Sequence, residues 1–260
     1  MKTKKPVALV TGASSGIGSV FARTLSARGF GLILVARRRE RLERLASELG
    51  GAEVLVADLA VDADLLRVEE RITAEPNMEF LVNNAGFGSQ GRFWEVGLEV
   101  QDRMHRLHII ATLRLTYAAL AVMLSHSRGS IINVSSVAGF LHNPFSVSYG
   151  ATKAWINSFT EALYVELKSV GSPVRIQALC PGFTVSEFHD VLGIDRAVVP
   201  RSLWMSAEYV VETSLRSLEK DKVIVIPGWR YRWFVHFQQR LPRFVRHAIA
   251  LKYGNISSRE

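Results

Sequence analysis

Short apolar runs alternate along the chain with longer stretches whose apolar positions recur at helical spacing. Residues 6–10, Pro-Val-Ala-Leu-Val, predict a strand, and after a Gly/Ser turn Ile17, Val20, Phe21 and Leu25 share one face of a helix. The unit then repeats. A strand run over 31–36 precedes a helical pattern over 40–49, with Leu42, Leu45 and Leu49 on one side. Residues 51–57 and 61–74 read as a third strand and helix, broken at Pro76-Asn77. Phe80-Leu81-Val82 reads as a fourth strand, ended by Asn83-Asn84-Ala85-Gly86. A helical stretch over about 98–125 leads to a strand at 130–134, and another over about 149–170 leads to a strand at 174–179. Past Pro181-Gly182 the pattern loosens until a helix near 207–218 and a last strand at 223–226. Parallel neighbours need right-handed crossovers of helix length. The expectation is therefore an α/β fold with a doubly wound parallel sheet of seven strands and helices on both faces. No Pro/Gly/Ser-rich linker or repeat divides the chain, so one domain is expected over 1–227, with 228–260 as a basic amphipathic extension of it.

Composition narrows the class. With 48% hydrophobic and 22% charged residues, the chain is neither disordered nor collagen-like nor a coiled coil. A single cysteine, Cys180, excludes an internal disulfide framework and a multi-cysteine metal site, so a reducing, cytoplasmic setting without a metal is expected. The basic start Met1-Lys2-Thr3-Lys4-Lys5 is followed by too short an apolar run for a signal peptide, and no uncharged apolar run reaches the length of a membrane span. The charge is uneven. Residues 222–260 hold eight basic residues and one acid, and from Trp229 to Lys252 arginines interleave with aromatics. Such a tail suits peripheral contact with an anionic membrane, a partly buried helical pair or subunit contact, or an acidic partner; no recognised nucleic-acid motif accompanies it.

The candidate chemistry begins at Thr11-Gly12-Ala13-Ser14-Ser15-Gly16-Ile17-Gly18, between a predicted strand and a predicted helix. Glycines there permit a tight turn and close approach of backbone to a pyrophosphate, while the helix N-terminus offers N–H groups. Gly12, Ser14, Ser15, Gly16, Ile17 and Gly18 are thus candidates for holding a dinucleotide. The second strand ends in Arg37-Arg38-Arg39, where an acid would accept from a ribose 2′-OH and a guanidinium would bind a 2′-phosphate. Arg37 and Arg38 favour NADP(H). A solvated helix start would account for Arg39 and Arg41 but less well for Arg37.

The chain resembles the short-chain dehydrogenase/reductase family from Thr11-Gly12 to about Pro227. Besides the glycine turn it carries Asp58-Leu59, Asn83-Asn84-Ala85-Gly86, Ser136, Tyr149-Gly150-Ala151-Thr152-Lys153 and Pro181-Gly182, in the family's order and approximate spacing. Tyr149 and Lys153 lie one helical turn apart, close enough for an ammonium to pull a phenol down from about 10. The resemblance implies a Rossmann-type sheet and an NADP(H)-dependent oxidoreductase that moves hydride between the nicotinamide and a carbonyl or alcohol substrate. In that reading Tyr149 gives a proton to the carbonyl oxygen, Ser136 holds that oxygen, and Lys153 tunes Tyr149 and binds the nicotinamide ribose. Asp58, beside Leu59, would accept from the adenine amino group or else cap the following helix. Asn84, Ala85, Gly86, Pro181 and Gly182 would line the cofactor. Thr184 would join them in binding the cofactor, and Ser186, standing where relatives often have threonine, would meet its carboxamide.

One position departs from the family. His108 stands where relatives have an asparagine that holds a water connected to the lysine; it either carries protons in that relay or is an ordinary packed histidine. The segment at about 183–205 and the residues after Ser136 are rich in apolar groups, among them Phe140, Leu141, Phe145, Phe183, Val185, Phe188, Val191, Leu192, Ile194, Val198, Leu203 and Trp204. They suit a lipophilic carbonyl compound, or else a cover over the fold's own core. The two long helices are those relatives pack between subunits. Leu113, Leu115, Tyr117 and Leu120 on the first, with Trp155, Phe159, Leu163 and Leu167 on the second, predict a homodimer or homotetramer. A different class stays open: an NADP(H)-binding sensor or scaffold with little turnover.

Overall fold

The computed structural model describes residues 5–188 and 199–257, with side chains as far as 252. Its seven strands are β1 Val7–Thr11, β2 Gly31–Ala36, β3 Glu53–Val56, β4 Met78–Asn83, β5 Ser130–Val134, β6 Arg175–Leu179 and β7 Ile224–Val225. They pair in parallel in the order β3-β2-β1-β4-β5-β6-β7. The order reverses between β1 and β4. In such sheets the crevice beyond the carboxyl ends of those two strands is where ligands bind.

Each inner strand is buried on both faces, which is why the strands read as continuous apolar runs. Ala8 and Val10 face one layer with Leu34, Ile132 and Leu179, packed against Phe21 and Leu25 of α1 (Gly16–Ala27), Leu42 and Leu45 of α2 (Arg39–Glu48) and Val210 and Leu215 of α7 (Ala207–Glu219). Leu9, Ile33, Leu81 and Ile131 face the other layer. There they meet Leu65, Val68 and Ile72 of α3 (Asp62–Thr73), Leu115 and Met123 of α5 (Ala111–Ser125) and Leu167 of α6 (Val147–Ser169). Full burial of a side chain such as Phe21 or Leu65 is worth about 2–3 kcal/mol, so the two apolar layers dominate the fold's stability.

The stretch predicted as one helix over 98–125 consists of α4 (Leu98–His105), a π turn at Arg106–Ile110 and α5. An 18-residue window of it has a mean hydropathy of 1.7, and by that and its length it would suffice to cross a membrane. However, it packs on the sheet and α3, and its Arg114 is ion-paired with Glu69. The third strand is shorter than predicted because Gly50 and Gly51 turn at φ +72° and +108°. Two helices close the chain: α8 (Trp229–Arg240) and α9 (Arg243–Ser257).

Candidate active site

At the carboxyl end of β1 the backbone leaves Thr11 into a left-handed Gly12 at φ +65°. A Cβ there would stand 2.7 Å from Asn84 Nδ2, and one on Gly18 would stand 2.3 Å from the Gly12 carbonyl oxygen, so both positions need glycine. Thr11, buried, accepts from the Asn84 and Ala85 N–H groups at 2.9 and 3.0 Å. Asn84 Nδ2 donates back to the Thr11 and Gly12 carbonyls at 3.0 and 3.3 Å. The Thr11 hydroxyl and the Asn84 side chain therefore clamp the loop after β4 to the turn after β1, which sets Asn84, Ala85 and Gly86 beside the glycine turn at the carboxyl end of the sheet. Ser15 precedes α1 without a side-chain cap, and the first turn holds no acid, so the helix N-terminus of Gly16, Ile17 and Gly18 suits an anion.

Arg38 and Arg37 part company. Arg38 folds over the turn, donating to Ser14 Oγ at 3.0 Å and Ser15 Oγ at 2.8 Å, and pairs with Glu187 at 2.8 Å. Arg41 contacts Glu187 as well, and the two guanidiniums hold that carboxyl below its usual range. Arg37 instead points toward Asp58, 4.0 Å away, which Arg103 also contacts. Asp58 does not cap α3: the capping position is Val61, and Asp58 Oδ1 accepts from the Ala60 N–H at 3.1 Å. Leu59 is buried in the core, so its side chain is withdrawn from the crevice.

Ser136, Tyr149 and Lys153 come together beyond β5. Ser136 precedes a 3₁₀ turn (Val137–Phe140), and its Oγ accepts from the Ala138 N–H at 3.1 Å. Its neighbour Ser135 donates to the Lys153 carbonyl at 2.9 Å and so points into α6. Lys153 Nζ donates to the Val134 carbonyl at 2.9 Å and lies 5.6 Å from the Tyr149 ring centroid. The expected downward pull of Lys153 on Tyr149 is not what prevails. Burial pushes the Tyr149 phenol up to about 12, against a hydrogen bond with Ser136 that lowers it, and burial brings Lys153 down to about 8.

His108, on the π turn, is buried with both ring nitrogens engaged. The Phe87 N–H donates to Nε2 at 3.2 Å, and Nδ1 lies 2.9 Å from Thr152 Oγ1. A Cβ on Gly86 would come within 2.9 Å of Nε2, so this glycine admits the imidazole. Burial, and after it the charges of Lys153 and His105, keep His108 well below its ordinary range and hence neutral.

On the substrate side, Phe188 lies 5.8 Å from the Tyr149 ring and Trp204 lies 5.4 Å from Phe183, centroid to centroid. Val191, Leu192, Ile194 and Val198 fall outside the described residues. Thr184 is buried and donates to the Gly182 carbonyl at 3.0 Å, and Ser186 donates to the Thr184 carbonyl at 3.3 Å. The Ser186 Cβ approaches within 3.0 Å of where a Gly16 Cβ would sit, which places this segment across from the start of α1. Tyr231 of α8 packs its ring on Gly182; its hydroxyl accepts from the Phe183 N–H at 3.1 Å and donates to the Leu203 carbonyl at 2.8 Å.

The family model for the short chain dehydrogenases matches residues 6–196. The chain belongs to that family. It is accordingly an oxidoreductase of the short-chain dehydrogenase type. Among solved structures, a short-chain dehydrogenase from Sphingobium yanoikuyae in complex with NADPH is 33% identical, with a TM-score of 0.81 covering 92% of this chain and 97% of that one. A bulky-bulky ketone specific alcohol dehydrogenase from Comamonas testosteroni is 31% identical, with a TM-score of 0.78 covering 93% and 96%. A 7β-hydroxysteroid dehydrogenase from Mediterraneibacter gnavus is 27% identical over 232 residues, 88% of each chain.

Three positioning residues escaped the sequence reading of this short-chain dehydrogenase. Thr11 and Thr152 sat inside recognised motifs, so their places were visible but their hydroxyl partners were not. Tyr231 gave no local signal, since its partners lie 28 and 48 residues away.

Proposed function

We propose that this short-chain dehydrogenase is an NADP(H)-dependent carbonyl reductase, or alcohol dehydrogenase in reverse, for apolar ketones, working as a cytoplasmic homo-oligomer with its basic tail at an anionic membrane. The observation that carries the reading is the convergence of Ser136, Tyr149 and Lys153 at the same carboxyl edge of the parallel sheet as the glycine turn on which Arg38 lies. The uncapped N-terminus of α1 and the glycine cradle fit a pyrophosphate, and Arg38 and Arg37 fit a 2′-phosphate. Bound there, the nicotinamide supplies or accepts the hydride.

The chain's own groups handle the proton. Burial keeps Tyr149 protonated at working pH, and that is the form that gives a proton to a carbonyl oxygen. Ser136 Oγ accepts from the Ala138 N–H and donates to the Pro181 carbonyl at 3.4 Å, a long bond that its proton can exchange for one to the same substrate oxygen. Lys153, positive below about pH 8, favours negative charge as it develops on the Tyr149 oxygen. The aromatic surroundings of Tyr149 favour an apolar substrate, and relatives that act on bulky-bulky ketones and hydroxysteroids support it. The sensor reading is not favoured, since all three proton-handling groups converge.

The test follows NADPH absorbance with ketones of graded size. Tyr149→Phe should lower kcat by at least the ~10²-fold typical of losing a general acid, while NADPH still binds. Near-normal turnover by that variant on a good substrate would remove Tyr149 from the role.

A further inference from the structure

We propose that α8 is a membrane-docking helix whose exposed aromatic face enters the interface of an anionic bilayer. Tyr231, Val235 and Gln238 are its buried positions and fix which side meets the rest of the protein. Trp229, Trp233 and Phe237 recur every four residues on the other side, with 59%, 68% and 63% of their surface open to solvent. Rows of large exposed aromatics mark interaction sites rather than ordinary surface. α9 adds Phe244 and Leu251, one heptad apart and exposed by 74% and 65%.

Charge decides what covers this face. Residues 229–252 contain six basic residues and no acid. Among the described residues Arg230 and Arg232 donate to the backbone carbonyls of Ser202 and Ile226, and Arg240 lies against His236; none of them pairs with a carboxylate. In a two-fold contact a second copy would set this patch against itself, like charge on like. An anionic lipid surface brings the opposite charge, and tryptophan suits the boundary between headgroups and acyl chains. On its inner face the same helix holds Phe183 and Leu203 through Tyr231, so docking sets the segment that meets the substrate beside the lipid. Only that last consequence rests on the proposed apolar substrate.

The experiment uses the full chain and vesicles of phosphatidylcholine with and without phosphatidylserine. Wild type should pellet with the anionic vesicles at low salt, leave them as salt rises, and ignore pure phosphatidylcholine. Trp233→Gln/Phe237→Gln and Arg240→Glu/Arg243→Glu should each weaken vesicle binding by at least ~10-fold, with turnover of a water-soluble ketone unchanged. A wild type that stays in the supernatant at low salt overturns the proposal, and so does an aromatic variant that pellets like wild type. If wild type ignores vesicles and the aromatic variant dissociates an oligomer seen by light scattering, a second copy covers the face and the proposal falls. Pelleting without any ketone turnover would overturn the proposed ketone reduction and leave the docking surface standing.

Discussion

The Phe87 N–H aims at His108 Nε2, so that nitrogen holds the lone pair and the ring proton sits on Nδ1, facing Thr152 Oγ1. Thr152 in turn donates to the Tyr149 carbonyl at 2.9 Å. The chain of bonds ends on backbone, which makes it a brace between the loop after β4 and the first turns of α6. His108→Leu would leave the partly buried Phe87 N–H without its partner and should cost about 1 kcal/mol, read as a lower Tm. The pH profile separates brace from relay. Reduction by wild type should decline as pH rises through about 8, where Lys153 loses its charge, while Tyr149 keeps its proton to about 12. In the leucine variant that alkaline limb should stay in place; a displaced limb would mean His108 carries protons.

At the scale of elements, what could be read from sequence was whatever repeated locally. The two-sided burial of β1, β2 and β4 left apolar runs, and the spacing of Tyr149 and Lys153 placed them on one helix face. The π turn left almost no trace, because one widened turn barely alters apolar spacing. Nor could sequence choose between Arg37 and Arg38, adjacent residues whose directions depend on the extended backbone of Arg38 ahead of α2. Buried polar ladders were hidden for a similar reason. Asn83 Nδ2 donates to Thr116 at 3.1 Å and to Asn133 at 2.9 Å, and Asn133 donates to Thr160 at 3.0 Å, pairings that exist only once β4, β5, α5 and α6 are assembled. Tyr231 is the testable case. Tyr231→Phe keeps the ring on Gly182 but removes both hydrogen bonds to Phe183 and Leu203, so KM for the ketone should rise several-fold with a smaller change in kcat. An unchanged KM would show that α8 merely packs beside the substrate segment.

For the whole molecule, the structure revises which side chains are available between subunits. Leu115 and Leu167, expected there, are buried in the core, while Leu120 and Leu163 pack against it, so none of the four presents a free apolar face. The large apolar residues that remain open are Leu98, Val100, Ile110, Leu113, Tyr117 and Leu124 on the long helix, with Tyr117 78% exposed, and Val147 and Val165 on α6. Ile110, Leu113 and Tyr117 follow i, i+3, i+7 spacing, so they form one stripe along the helix. That stripe can be self-complementary across a two-fold axis, as closed symmetry requires, and unlike the tail it does not carry a run of unpaired arginines. Its Arg114 is held by Glu69. Leu113→Arg/Tyr117→Arg should therefore reduce the mass seen by light scattering at micromolar concentration to that of one chain, 29.0 kDa. Vesicle binding through α8 should persist in that variant, because the two surfaces lie on different helices. If the double variant keeps the oligomer of wild type, the interface lies elsewhere; if wild type is itself a single chain, the stripe is ordinary surface.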